Sequence, residues 1–328
     1  MKIEELIKVM SNPEFYPHNP SSVEVIQTHI SVIFLADELV YKVKKPVNFG
    51  FLDFSTLEKR KFFCEREIEL NRRLSPDIYL KVEPIKIGGS IVEYAVVMKR
   101  LPTHMSLKNL IKRGQLSRKD VERAVELIAD FHKRAETSRE IKEFGKVQNF
   151  RKNTDENFEQ TRKFIGITIN EEDYQFIKEK TERFYERYAS LLDERAERGW
   201  VKDCHGDLHS EHIVITPEKI WVFDCIEFND RFRYIDVACD IAFLLMDMEF
   251  LNEKEMSSFA FKTYKRLMED EELERVIPFF KSYRAYVRGK VNSLMLDDPN
   301  IDESEKERLK STAQSYFALA RRYLEELS

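Results

Sequence analysis

The sequence predicts an α+β protein in two lobes, a small antiparallel sheet with one long helix followed by a mostly helical segment. Three observations lead there. Between residues 23 and 98, short runs alternate apolar and polar side chains at the period of a strand and are broken by turn residues. From about residue 103 the apolar residues recur at helical spacing instead. The 328 residues, 42% of them hydrophobic, suffice for about two such lobes. The strand pattern ends at Met98-Lys99-Arg100-Leu101-Pro102, so the expected division is 1–100 and 101–328.

Composition narrows the class. Charged residues make up 34% of the chain with a net charge of only -5, which gives no argument for nucleic acid or an anionic membrane as partner. No run of about eighteen apolar residues occurs, and Met1-Lys2-Ile3-Glu4-Glu5 lacks the apolar core of a signal peptide. Cys64, Cys204, Cys225 and Cys239 have neither disulfide-like nor zinc-like spacing. A cytoplasmic protein is expected.

Residues 1–20 read as a short helix and a Pro- and Asn-rich connection. Strands are expected at 23–28, 31–36 and 39–45. In the third, Val40, Lys42 and Lys44 share a face, so either lysine can meet phosphates, or the strand is an edge strand with solvated lysines. A helix from about 56 to 74 follows the capping pattern Ser55-x-x-Glu58. Phe63, Glu67, Leu70 and Leu74 fall on one stripe of it, which buries Glu67. An unpaired buried carboxylate costs several kcal/mol, so Glu67 demands a cation such as Lys42. Residues 46–54, with three phenylalanines, read equally as a lid or as a plug. A hairpin through Gly88-Gly89 completes the sheet. Beyond it, helices are expected at 117–133, where His132 belongs to the core, and then from about 157, at 171–198, at 234–248, around Tyr283–Arg288 and at 303–327. Residues 136–157 read as polar and mixed in charge.

The chemistry concentrates in Cys204-His205-Gly206-Asp207-Leu208-His209-Ser210-Glu211-His212, followed by a short apolar run, a turn at Pro217-Glu218-Lys219 and Ile220-Trp221-Val222-Phe223-Asp224. The expectation is two carboxylates, Asp207 and Asp224, at the mouths of neighbouring strands. Such a pair suits phosphoryl transfer, because one can orient an attacking hydroxyl while the other holds a charge-neutralising cation. Asp236 and Asp240, four residues apart on an apolar helix, need hydrogen-bond donors if buried, and the backbone N–H groups of the loop around Asp207 are the expected ones.

His205-Gly206-Asp207, a polar residue five after the Asp, a second Asp seventeen after it, and Asp230-Arg231-Phe232-Arg233-Tyr234-Ile235-Asp236 together resemble the aminoglycoside phosphotransferases. These are small-molecule kinases with a bilobal, protein-kinase-like fold. The resemblance implies ATP and Mg²⁺ as cofactors, a small-molecule acceptor with a hydroxyl, and a lysine-glutamate pair, Lys42 and Glu67, over the nucleotide phosphates. It implies Asp207 as general base, Asp224 as Mg²⁺ ligand, His205 as a loop-shaping residue and Asp236 as structural support. Two departures stand out. Gln27-Thr28-His29-Ile30-Ser31 has no glycine where a phosphate-covering loop uses them. His212 stands where the family has an Asn metal ligand, so it is expected either to ligate the metal or to hydrogen-bond Asp207, with the second role preferred because imidazole suits Mg²⁺ poorly. These departures leave a second reading, a kinase-shaped nucleotide-binding regulatory protein without turnover. A protein kinase fits less well, since no Ala-Pro-Glu-like segment follows Asp224.

Overall fold

The computed structural model describes residues 2–298 and 301–327. In chain order the elements are α1 (Ile3–Met10), β1 (Val23–Gln27), β2 (Ser31–Ala36), β3 (Leu39–Lys44), α2 (Leu57–Asn71), β4 (Tyr79–Ile87) and β5 (Ser90–Lys99). Then come α3 (Leu107–Lys112), α4 (Arg118–Arg134), α5 (Arg139–Gly145), α6 (Val147–Thr161), α7 (Glu171–Glu197), β6 (Val201–Asp203), β7 (Ile213–Ile215), β8 (Ile220–Val222) and β9 (Tyr234–Asp236). The chain closes with α8 (Val237–Phe250), α9 (Lys254–Met268), α10 (Leu273–Met295) and α11 (Glu303–Glu325). Two compact units result, one of residues 1–106 with 212–230 and one of 107–211 with 231–328. The hairpin carrying Asp224 thus groups with the first unit, whereas the expected division places everything after residue 100 in the second lobe.

The first unit is an antiparallel sheet in the order β1-β2-β3-β5-β4. Strand alternation sends Val32, Phe34, Tyr41, Val43 and Val97 to one face, where Leu6 and Met10 of α1 cover them. The opposite face presents Val96 and Tyr79 to Cys64 and Ile68 of α2. β3 is central, paired with β2 and β5, so the edge-strand alternative for its lysines falls. Gly88 and Gly89 turn the last hairpin with φ of +58° and +84°, values that side chains other than glycine resist. The start of α2 corrects the expected cap by one residue: Thr56 accepts the Lys59 N–H, while Ser55 turns back to Asp53. The Phe-rich segment divides its residues, burying Leu52 and Phe54 and leaving Phe49 and Phe51 exposed.

In the second unit α10 packs against α8 and α11, and every residue of α8 from Val237 to Met248 is buried. This helix starts later than the periodicity predicted. Tyr234–Asp236 pairs with Val201–Asp203 as a two-stranded ladder, and Asp236 caps α8 by accepting the Ala238 N–H at 2.8 Å. The polar stretch 136–157 is largely helical, because Asn153, Thr154 and Asn157 turn inward with Phe150 and so hide its amphipathic period. No helix among the described residues is long and apolar enough to cross a membrane.

Candidate active site

In the first unit a cluster of buried ions forms around β3 and α2. Lys42 and Lys44 sit two residues apart on one strand face and both reach the fully buried Glu67, at 2.9 and 2.6 Å. Lys42 also donates to Asp224 Oδ1 at 2.6 Å. Lys44 donates to Glu227, three residues beyond Asp224, and its ammonium lies 5.0 Å over the Phe54 ring. Burial alone pushes the Glu67 carboxyl up, but the two lysines outweigh it and hold the group below its ordinary value. Burial also disfavours the charged form of Lys42, yet Asp224, Glu67 and Glu227 raise its pKa well above that of a free lysine.

Two ammonium groups thus meet three carboxylates, Glu67, Glu227 and Asp224, and burial pushes the Glu227 carboxyl up against the pull of Lys44. Asp224 is the most exposed of these groups at 39%, whereas Lys44 is closed in at 1%. A carboxylate whose oxygens stand at the open end of an ion cluster fits a hard divalent cation such as Mg²⁺. Lys42, at 11%, is the more open of the two lysines, and Lys44 braces Glu67 and Glu227. His212 lies on the Asp224 side, its Nε2 3.5 Å from Asp224 Oδ2.

Asp224 itself has φ of +61°, in the left-handed region, and is held there from several directions. Its N–H donates to the Tyr79 hydroxyl at 3.1 Å. The next N–H, of Cys225, donates to Asn71 Oδ1 at 2.8 Å, and Ser75 exchanges two hydrogen bonds with the backbone of Val222. The C-terminal end of α2 and the turn after it thus clamp the strand that delivers Asp224. The glycine-free segment is a tight turn between β1 and β2, closed by the Thr28 N–H to the Ser31 carbonyl at 2.9 Å and by the Ser31 N–H to Thr28 Oγ1 at 3.0 Å.

In the second unit the loop 204–211 hangs from α8. The Asp240 carboxylate accepts the N–H groups of His205 and Gly206, each at 2.9 Å, and is 3.1 Å from His132 Nε2. About two helical turns further on, Asp247 accepts from Ser210 through its N–H, at 3.0 Å, and its hydroxyl. Burial would raise the Asp240 carboxyl, but His132, His205 and Arg284 bring it down to about 2. Between the two staples stands Asp207, whose N–H donates to the buried His205 at 3.2 Å and whose Oδ2 lies 3.5 Å from His209 Nε2. His205 therefore shapes the loop, and His132 has both ring nitrogens engaged, by Tyr264 and Asp240.

The donor expectation holds for Asp240 and needs correction for Asp236. Asp236 receives Arg195 through two hydrogen bonds of 2.7 and 2.9 Å, and the same fully buried guanidinium grips Asp270 through two more of 2.8 Å. An arginine fork matched to a carboxylate satisfies both groups, which leaves nothing for the loop N–H groups to do at Asp236. Asp207 and Asp224 follow separate two-stranded ladders, β6 with β9 and β7 with β8, rather than neighbouring strands of one sheet. All four cysteines are buried, and burial pushes Cys64 and Cys239 up to about 12, so they serve as small core residues.

Residues 60–262 match the family described as the phosphotransferase enzyme family, APH. The chain belongs to this family. Uncharacterized proteins of Mycobacterium tuberculosis and Mycobacterium bovis are 32% identical to it over 270 residues, covering 82% of this chain and 54% of theirs. The chain thus spans about half the length of the curated relatives it matches. Among solved structures it resembles a choline kinase from Cryptosporidium parvum Iowa II, with TM-score 0.60, 12% identity, and 99% of this chain and 96% of that one covered. It also resembles an amicoumacin kinase in complex with AMP-PNP, Ca²⁺ and Ami, with TM-score 0.57, 14% identity, and 96% and 93% covered. At these identities the likeness establishes the protein-kinase-like fold of this family member and leaves its chemistry to be argued from its own residues.

Proposed function

We propose that the chain is an ATP-dependent phosphotransferase that moves the terminal phosphoryl group of ATP to a hydroxyl of a small-molecule acceptor. The observation that carries this reading is the division of labour in the ion cluster, where Lys42 touches both Glu67 and Asp224 while Lys44 is sealed behind them. Glu67 holds the Lys42 ammonium in place, and that ammonium binds the nucleotide phosphates. Asp224, locked in its left-handed conformation, presents the carboxylate for Mg²⁺, which neutralises phosphate charge when bound. His212, expected either to ligate the metal or to hydrogen-bond Asp207, flanks the Asp224 carboxylate at 3.5 Å, which supports the first of those roles. Asp207 orients the acceptor hydroxyl and takes its proton as the new oxygen-phosphorus bond forms and ADP departs. A weak base is adequate because this transfer comes late in a loose transition state.

Two outcomes test the nucleotide half. ATP with Mg²⁺ raises the melting temperature, since a ligand at 100 times its dissociation constant adds about 2.7 kcal/mol, and Asp224→Ala removes the metal-dependent part of that rise. An unchanged rise in the variant contradicts the role of Asp224. The lysines separate in the same assay. Lys42→Met abolishes most of the nucleotide-induced rise, whereas Lys44→Met lowers the melting temperature of the free protein by leaving Glu67 and Glu227 buried without their shared cation. Equal behaviour of the two variants contradicts the division of labour. The turn without glycine and His212 suit the second reading, a nucleotide-binding protein without turnover, for which the rise occurs and ATP is never consumed.

A further inference from the structure

The helix α10 carries the run Tyr283-Arg284-Ala285-Tyr286-Val287-Arg288, and its two arginines stand one helical turn apart on the side facing α8 and α11. Arg284 is 4% exposed. Its Nε donates to the Cys239 carbonyl at 3.1 Å, its guanidinium lies 4.9 Å over the Phe243 ring, and its Nη2 has no hydrogen-bond partner among the described residues. The nearest carboxylate oxygen to Nη2, on Asp240, is 4.0 Å away and already takes the Gly206 N–H. Arg288 lies 5.7 Å over the Tyr316 ring and buries an Nε that likewise has no partner among the described residues.

These donors border the loop of the candidate base. The Phe243 ring that carries Arg284 on one side has His209 5.3 Å away, and His209 in turn lies beside Asp207. Both arginines are within electrostatic range of Asp207, and Arg288 is also within range of Glu211. The remaining acids of the neighbourhood are engaged. Asp240 holds the N–H groups of His205 and Gly206, Asp247 holds Ser210, and Glu211 pairs with Lys108. What is left over is positive: two guanidinium groups, each with a buried N–H that no acceptor among the described residues fills. Leaving such a donor unmade costs about 1–3 kcal/mol, and a charged acceptor recovers the most.

We propose that Arg284 and Arg288 bind an anionic group of the acceptor, so that the substrate is a hydroxyl compound bearing a carboxylate or a phosphate rather than a polyamine or quaternary amine. The proposal rests on the phosphotransferase reading for the word acceptor, and on the two arginines alone for the anion. A planar guanidinium matches either oxyanion in a two-pronged fashion, which is why both sources share one recognition chemistry. A cationic acceptor would meet two fixed positive charges beside the base and lose affinity.

The test titrates the full chain, with ATP and Mg²⁺ present, with glycerate, glycerol phosphate, inorganic phosphate and ethanolamine, reading melting temperature and ATP consumption together. The expected result is stabilisation by anions and none by ethanolamine. Glycerate and glycerol phosphate separate the carboxylate from the phosphate source. Arg288→Met keeps the length of the side chain and weakens anion binding by about tenfold to a hundredfold, and Arg288→Lys restores part of it, since one charged hydrogen bond is worth that much. Equal anion affinity in wild type and Arg288→Met overturns the proposal, as does stabilisation by ethanolamine with every anion silent. Anion binding that Arg288→Met abolishes, in a protein that never consumes ATP, upholds the anion site and removes the phosphotransferase reading instead.

Discussion

Asp207→Asn lowers turnover by about 10² to 10⁴ while the stabilisation by ATP and Mg²⁺ stays close to that of the wild type. The size follows from what a positioned general base contributes. The selectivity follows from where Asp207 sits. It stands in the loop hung from α8, whereas Lys42, Glu67 and Asp224 make their ion pairs among themselves. The amide also keeps the shape of the carboxylate, so the His205 contact to the backbone N–H of residue 207 survives. Turnover equal to wild type contradicts the role of base, and loss of nucleotide-dependent stabilisation assigns the residue to binding.

Asp240→Ala costs about 3–5 kcal/mol of folding stability and takes activity with it. The substitution leaves two loop N–H groups and His132 without their acceptor in a buried place, and breaking one side of such a network is among the most destabilising single changes. The same carboxyl gives the protein an acid limit. Its pKa falls from 3.8 to about 2 on folding, so its contribution is complete above about pH 4, decays as pH falls through the folded value and vanishes below it. The contribution lost on that limb is roughly 2 kcal/mol. Denaturant melts of wild type and Asp240→Asn between neutral pH and pH 2 check both statements. The gap between the two narrows in acid, and a gap that stays constant contradicts the assignment.

The local parts of this site were legible in the sequence and the long-range parts were not. Glu67 on an apolar stripe announced a buried ion pair, and Lys42 on an alternating strand was a near enough cation, because both facts depend only on helical and strand periods. That Glu67 takes two lysines, and that Glu227 completes the pairing of Lys44, depends on a contact across 183 positions that no period encodes. Arg195 is one charge among many in α7, yet it joins Asp236 and Asp270 across 41 and 75 positions. Asp247 is a further acid on the apolar helix α8, and its spacing of seven from Asp240 is a usable signal that it follows the same face. Tyr79, which fixes the backbone of Asp224, stands at the start of β4, where no period singles it out. The errors at the start of α2 and of α8 have a common cause. A side chain chose between capping and continuing, and that choice is settled by hydrogen bonds rather than by periodicity.

The central claim is that this phosphotransferase moves phosphate from ATP to a hydroxyl, and phosphorus NMR on wild type, Asp207→Asn and Asp224→Ala with ATP, Mg²⁺ and a panel of hydroxyl acceptors tests it most directly. The account predicts that ATP is converted to ADP together with a new phosphate ester in the wild type, strongly slowed by Asp207→Asn and absent with Asp224→Ala. Nucleotide that binds and stabilises all three proteins alike, with no ester formed and ATP intact, contradicts it.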